Sequence, residues 1–214
     1  MPALHHLLQL LAIKAGDHVL DLGCGAGVIA EYVSDKTGAK VTGLDYAVPA
    51  IAEARERTRG KQSQLAFING DMNALDLPER SFDAVISIDT LYWVADLTDT
   101  MARVAKLLKP GGQMGIFMLQ HVPEGRTADD YGANETAPGQ ALAELTLTFD
   151  AHNYTVQNAA FWHRNYEAAK ALQDEFEAEG NGFIPASLIR ESDQDFLPFI
   201  EAGTIVRYLY HVHS

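Results

Sequence analysis

The sequence predicts an α/β fold: a parallel sheet with helices on both faces. Three observations carry that prediction. Short apolar runs alternate with helix-period segments through residues 1–119, each bounded by glycine, proline or polar turn residues. The run Asp83–Ile88 (DAVISI) is almost wholly apolar, as a strand covered on both faces must be. The run His18–Leu22 (HVLDL) opens directly into Gly23, Gly25 and Gly27, a strand–loop–helix passage of the kind that binds ligands at the carboxyl edge of such sheets.

The elements follow in order. Leu4–Leu11 has apolar residues at helical spacing and ends near Ala15-Gly16. His18–Leu22 is the first strand, Val28–Lys36 a helix closed by Gly38, and Lys40–Leu44 the second strand. Val48–Gly60 is a helix charged on one face, and Leu65–Asn69 the third strand. Asp83–Ile88 is the fourth strand. Leu97–Leu108 is a helix stopped by Pro110-Gly111-Gly112, and Gln113–Leu119 is the fifth strand. Beyond it the pattern predicts a helix at Gln140–Phe149, a strand at Tyr154–Ala160 and an acidic helix at Arg164–Glu179. A further helix is expected within Ile184–Ile200, and a closing strand at Thr204–His211.

Composition narrows the function. The chain has 214 residues, 47% of them hydrophobic, enough for one domain with a substantial core. It is read as a single domain, 1–214, with residues 1–119 as the ligand-binding scaffold and 120–214 completing the sheet and shaping a substrate site. Residues 1–119 carry 11 basic and 14 acidic side chains, residues 120–214 only 5 basic and 15 acidic. With a net charge of −13, nucleic acid is not expected as a partner, because phosphate contacts need clustered Lys and Arg. No apolar run approaches the ~20 residues that span a bilayer, so no membrane partner is expected. Met1–Leu11 lacks a basic leader and a small-residue cleavage site, and Cys24 is the one cysteine; both point to the cytoplasm. His5-His6 and His211-x-His213 have no Cys or acid cluster beside them in sequence, so no metal site is expected.

The chemistry concentrates in Asp21-x-Gly23-x-Gly25-x-Gly27. A dinucleotide fingerprint from Gly23 requires a small residue at position 28, which is Val28, and Asp21 is poorly placed for a pyrophosphate. Asp45 ends the second strand about 20 residues beyond the glycines, where an acid accepts hydrogen bonds from ribose hydroxyls. Asn69-Gly70-Asp71-Met72 follows the third strand, and Met72 is a soft surface suited to a flat ring.

These segments, with Ser81–Asp89 (SFDAVISID) and the Leu-Lys-Pro-Gly-Gly turn at 108–112, resemble in order and spacing the motifs of the class I S-adenosylmethionine (SAM)-dependent methyltransferases. The likeness is nearest to the type 11 and ubiquinone/menaquinone-biosynthesis-like small-molecule group. It implies a Rossmann-like seven-stranded sheet, order 3-2-1-4-5-7-6, with the last strand antiparallel. SAM is the implied cofactor and S-adenosylhomocysteine the product. The implied cofactor contacts are Asp21, Gly23, Cys24, Gly25, Gly27, Asp45, Tyr46, Asp71, Met72 and Ser87. Asp71 would meet the adenine amino group.

Methyl transfer from a sulfonium needs placement in a dry site more than an elaborate catalytic set. His121, after the fifth strand, is the candidate general base. Tyr92, Trp93, Trp162 and His163 are candidate substrate contacts, joined by Asp89 and Tyr166. Only 20 residues precede Asp21, fewer than the N-terminal cap of this group needs. A second copy of the chain is one expected source of a lid, which makes a homodimer an expected partner. The competing functions are a SAM-binding protein without catalysis, aminopropyl transfer on the same scaffold, and an NAD-dependent oxidoreductase.

Overall fold

The computed structural model describes residues 2–181 and 183–213. The chain divides into two compact units, the first holding residues 1–118, 133–152 and 209–214, the second 119–132 and 153–208.

In the first unit, α1 (Pro2–Leu10) precedes β1 (His18–Leu22), whose Val19, Leu20 and Leu22 are almost fully buried. Then come α2 (Val28–Thr37), β2 (Lys40–Asp45), α3 (Val48–Arg57) and β3 (Leu65–Asn69). Next are β4 (Phe82–Ile88), α4 (Leu97–Leu107) and β5 (Leu108–His121). α2 begins and ends on left-handed glycines, Gly27 (φ 72°) and Gly38 (φ 73°). The α4 start is capped by Asp96, whose carboxylate accepts the Asp99 N–H. Leu7 of α1 occupies the space a Cβ on Gly115 of β5 would need, so this glycine lets helix and strand approach closely. The Pro110-Gly111-Gly112 segment does not precede β5 as expected but lies inside it. The pairing jumps from Phe82↔Leu108 to Ala84↔Gln113, and the extra residues bulge out between.

The seven strands lie in the order β3-β2-β1-β4-β5-β7-β6, as the resemblance implied. Pairs β1–β2, β1–β4, β2–β3 and β4–β5 are parallel. β7 (Ile205–His213) runs against β5. The Val122 N–H reaches Thr204 at one end, and His211 meets Gln113 at the other. β6 (Thr148–Asn153) in turn opposes β7, with Asp150 beside His213 and Asn153 beside Tyr208. Among the described residues only β7 is therefore reversed.

Two readings of the second half are corrected. The sixth strand is Thr148–Asn153, and Tyr154–Ala160 opens the long helix α6 (Thr155–Ala178). The helix expected over Gln140–Phe149 is shorter and earlier, α5 (Ala137–Glu144), ended by Thr146 in a left-handed conformation (φ 56°). In the second unit, α6 packs against α7 (Phe183–Arg190). A π-helical turn (Glu191–Phe196) joins α7 to α8 (Leu197–Glu201). Among the described residues no helix is long and apolar enough to cross a membrane.

Candidate functional site

The loop after β1 needs its glycines for three different reasons. Gly23 (φ 80°) has Thr90 so close that an added Cβ would lie 2.5 Å from it. Gly27 (φ 72°) lies against the Phe67 ring, 2.4 Å from where its Cβ would stand. Gly25 (φ 52°) has open space around that position, and its N–H donates to Asp45 Oδ2 at 2.8 Å. Two glycines thus pack the loop against its neighbours, and Gly25 faces open space.

Three acids mark the carboxyl ends of β1, β2 and β3. Asp45 accepts from the Gly25 N–H on one oxygen and from the Ala47 N–H on the other, which fixes its carboxylate between two loops. Asn69 braces the same corner by donating to the Asp45 and Tyr46 carbonyls. Asp71 accepts from the backbone and side chain of Asn73, and the backbone bond leads in lowering its pKa. Asn73 in turn accepts from the Ala95 N–H, so β3 and β4 loops are tied together. Asp21 differs: it is 2% exposed, and its Oδ2 has no hydrogen-bond partner among the described residues. Burial pushes its pKa up to about 7; the Ala30 N–H opposes this and the Asp45 charge adds to it.

Beside these acids lies a cleft of about 510 Å³, a typical size for a small-molecule site. Asp45, Asp71 and Met72 line it, with Gly23 and Thr90 at the base of the loop. Tyr46 and Trp93, 76% and 79% exposed, form its aromatic rim. Of the expected cofactor contacts, Gly23, Asp45, Tyr46, Asp71 and Met72 therefore come together here. Gly25 and Gly27 shape the loop above it. Cys24 is buried behind the loop, its sulfur filling the room left by Gly43, and burial drives its thiol up to about 12. Ser87 is 2% exposed and bonded to the Thr90 hydroxyl, which also donates to the Leu22 carbonyl. Thr90, not Ser87, stands in the wall. Sequence reasoning missed Thr90, Asn69 and Asn73, although Asn69 heads the very motif that supplied Asp71. Tyr92 donates to Asp89, a residue held at φ 54°.

The remaining candidates belong to the second unit. His121 is exposed at the end of β5 and meets the Phe199 ring edge-on, centroids 5.1 Å apart. Trp162 and His163 sit on α6, not after a strand. Trp162 stacks on Phe196 at 3.9 Å, and His163 is exposed. Tyr166 donates to Asp193.

Sheet order and the cleft at the carboxyl ends of the strands define a Rossmann-like domain. Residues 19–112 match the family described as a methyltransferase domain. A sterol 24-C-methyltransferase of Aspergillus fumigatus is 36% identical over 116 residues, which is 53% of this chain and 30% of that protein. The chain thus spans about a third of the length of the curated relatives it matches first. Among solved structures, a Haemonchus contortus phosphoethanolamine N-methyltransferase 2, in complex with phosphomonomethylethanolamine and S-adenosylhomocysteine, superposes with a TM-score of 0.84 at 19% identity. It covers 98% of this chain and 52% of that one. The cyclase SpnF superposes with a TM-score of 0.80 at 18% identity over 100% of this chain and 80% of that one. At these identities the two structures share the fold. By motif, fold and family match the chain is similar to the class I SAM-dependent methyltransferases.

Proposed function

We propose that the chain is a SAM-dependent methyltransferase acting on a small-molecule acceptor by direct displacement. One observation carries this reading: Asp21 and Asp45 sit together beneath the glycine loop, and Asp45 has already taken the Gly25 N–H. A pyrophosphate would meet two carboxylates and lose that amide. A ligand bearing ribose hydroxyls and positive charge is favoured instead. The unpartnered buried Asp21 oxygen fits such a ligand, since a buried carboxylate oxygen without a donor is costly until a donor or cation arrives.

SAM supplies a methyl group already activated on a sulfonium. The chain's residues hold and orient. Asp45 is assigned to the ribose hydroxyls, Asp71 to the adenine amino group, and Met72 and Tyr46 to the adenine faces. Asp21 is assigned to the positively charged part, with Gly23, Cys24, Gly25 and Gly27 as the loop that closes over it and Ser87 supporting through Thr90. Tyr92 and Trp93 are assigned to the acceptor at the cleft mouth. Trp162 and His163 are assigned as acceptor contacts contributed by the second unit, each by its residue type alone. His121 is assigned as the base where the acceptor must lose a proton. A cytoplasmic setting and a homodimer belong to the same reading.

A second reading, SAM binding without methyl transfer, is favoured by the close fold match to the cyclase SpnF, since one fold can host different chemistries. One experiment separates the readings. Calorimetric titration with S-adenosylhomocysteine, with NADH as control, is expected to give binding of the former only. Asp45→Ala should weaken that binding by about 1.5–3 kcal/mol, the scale of hydrogen bonds to a charged group. NADH binding alone would overturn the cofactor assignment. Binding of S-adenosylhomocysteine with no turnover across an acceptor panel would favour the second reading.

A further inference from the structure

The far end of the sheet carries a second cluster of chemistry. β7 places His211 and His213 two residues apart, hence on one face of the sheet. On the neighbouring β6, Asp150 stands opposite, its Oδ2 3.1 Å from His213 Nε2. One ligand atom from each of Asp150, His211 and His213 can be chosen so that all three lie within 4.8 Å of one another. His152, two residues along β6, faces the same side as Asp150, and its Nε2 is buried with no hydrogen-bond partner among the described residues. His6 of α1 meets His152 edge-on, with ring centroids 4.8 Å apart. In sequence the His-x-His pair lacked an acid; the return of β7 beside β6 supplies one.

We propose that Asp150, His211 and His213 form a binding site for a divalent transition-metal ion of the zinc class. The chemistry fits. Two imidazoles and a carboxylate suit Zn²⁺ and its first-row neighbours, not Mg²⁺ or Ca²⁺, which demand oxygen ligands. The spacing fits too. Zinc bonds of about 2.0–2.1 Å in a tetrahedron put ligand atoms about 3.3 Å apart, close to the observed Asp150–His213 separation. An outer partner is already present, for Gln113 Oε1 lies 2.6 Å from His211 Nε2 and fixes that ring. The site lies at the amino ends of the parallel strands, opposite the cleft. It therefore ties β7 to β6 and does not act on the acceptor.

The test is calorimetric titration of the chelator-treated full chain with zinc chloride, paired with thermal melting. One zinc ion per chain is expected, with a rise in the melting midpoint. Asp150→Asn and His213→Gln should each lower zinc affinity at least tenfold. His5→Gln, outside the cluster, should leave it unchanged. The midpoint rise is measured on the parent chain and so does not depend on any variant folding. Absence of saturable binding, affinity unaltered in the His211→Gln/His213→Gln double variant, or affinity lost in His5→Gln would each overturn the assignment.

Discussion

The two ends of the sheet in the first unit hold charge in opposite ways. At the carboxyl end, carboxylates are fixed by backbone: Asp45 by Gly25 and Ala47, Asp71 by Asn73. At the other end, imidazoles are fixed by side chains: His211 by Gln113, His213 by Asp150. Backbone donors come from loops whose shape depends on glycine and on close packing, so the cleft end is brittle. Side-chain partners on strands tolerate more exchange, because the strand persists when a side chain is replaced.

The largest expected effect tests that brittleness. Gly27→Val meets both a left-handed φ of 72° and the Phe67 ring, and should destabilise the fold by on the order of 3 kcal/mol in urea unfolding. Gly25→Ala, with open space at its Cβ, should cost only about 1 kcal/mol in stability. It should instead weaken S-adenosylhomocysteine binding. Equal stability loss in the two variants would erase the distinction between packing and ligand-facing glycines.

Next comes Asp21, the buried acid of β1 whose Oδ2 has no donor among the described residues. Its pKa stands near 7 in the folded chain against 3.8 in the unfolded chain. Between those values the folded state keeps a proton the unfolded state has lost. Stability therefore falls as pH rises from about 4 to about 7, and stays lower above, by on the order of a few kcal/mol. Asp21→Asn should flatten this slope and raise stability at pH 8, while weakening ligand binding. A slope unchanged in the variant would assign the pH dependence elsewhere. The smallest effect is Met72→Ala, which removes apolar surface from the cleft wall. It should weaken S-adenosylhomocysteine binding by about 1 kcal/mol with the melting midpoint unmoved.

The first five strands were legible because each is an apolar run stopped by a residue with one backbone role, such as Gly23, Asp45 or Asn69. The sixth was not. Thr148–Asn153 (TFDAHN) is an edge strand whose residues are all exposed or half-buried, so no alternation marks it. Thr155–Ala160 (TVQNAA) begins with β-branched residues yet forms helix, its first turn held by Asn153, which accepts the Thr155 N–H. The site divides along the same line. Asp21, Asp45 and Asp71 could be read because acids at strand ends are few and spaced. Thr90 could not, because its importance depends on Gly23 lying against it across two loops. The Asp150–His211–His213 cluster was set aside for want of an acid that is distant in sequence and adjacent on the sheet.

The insertion of β7 between β5 and β6 also sets an order of assembly. Among the described residues β6 has no strand neighbour except β7, and the whole helical stretch from α6 to α8 separates the two in the chain. β6 can therefore join the sheet only after that stretch has closed a long loop, so the edge forms late among the steps of folding. Until then the outer side of β5 is an open template. Any event that delays the final strand leaves two unpaired edges exposed to neighbouring chains, which makes β7 the point at which folding and aggregation compete.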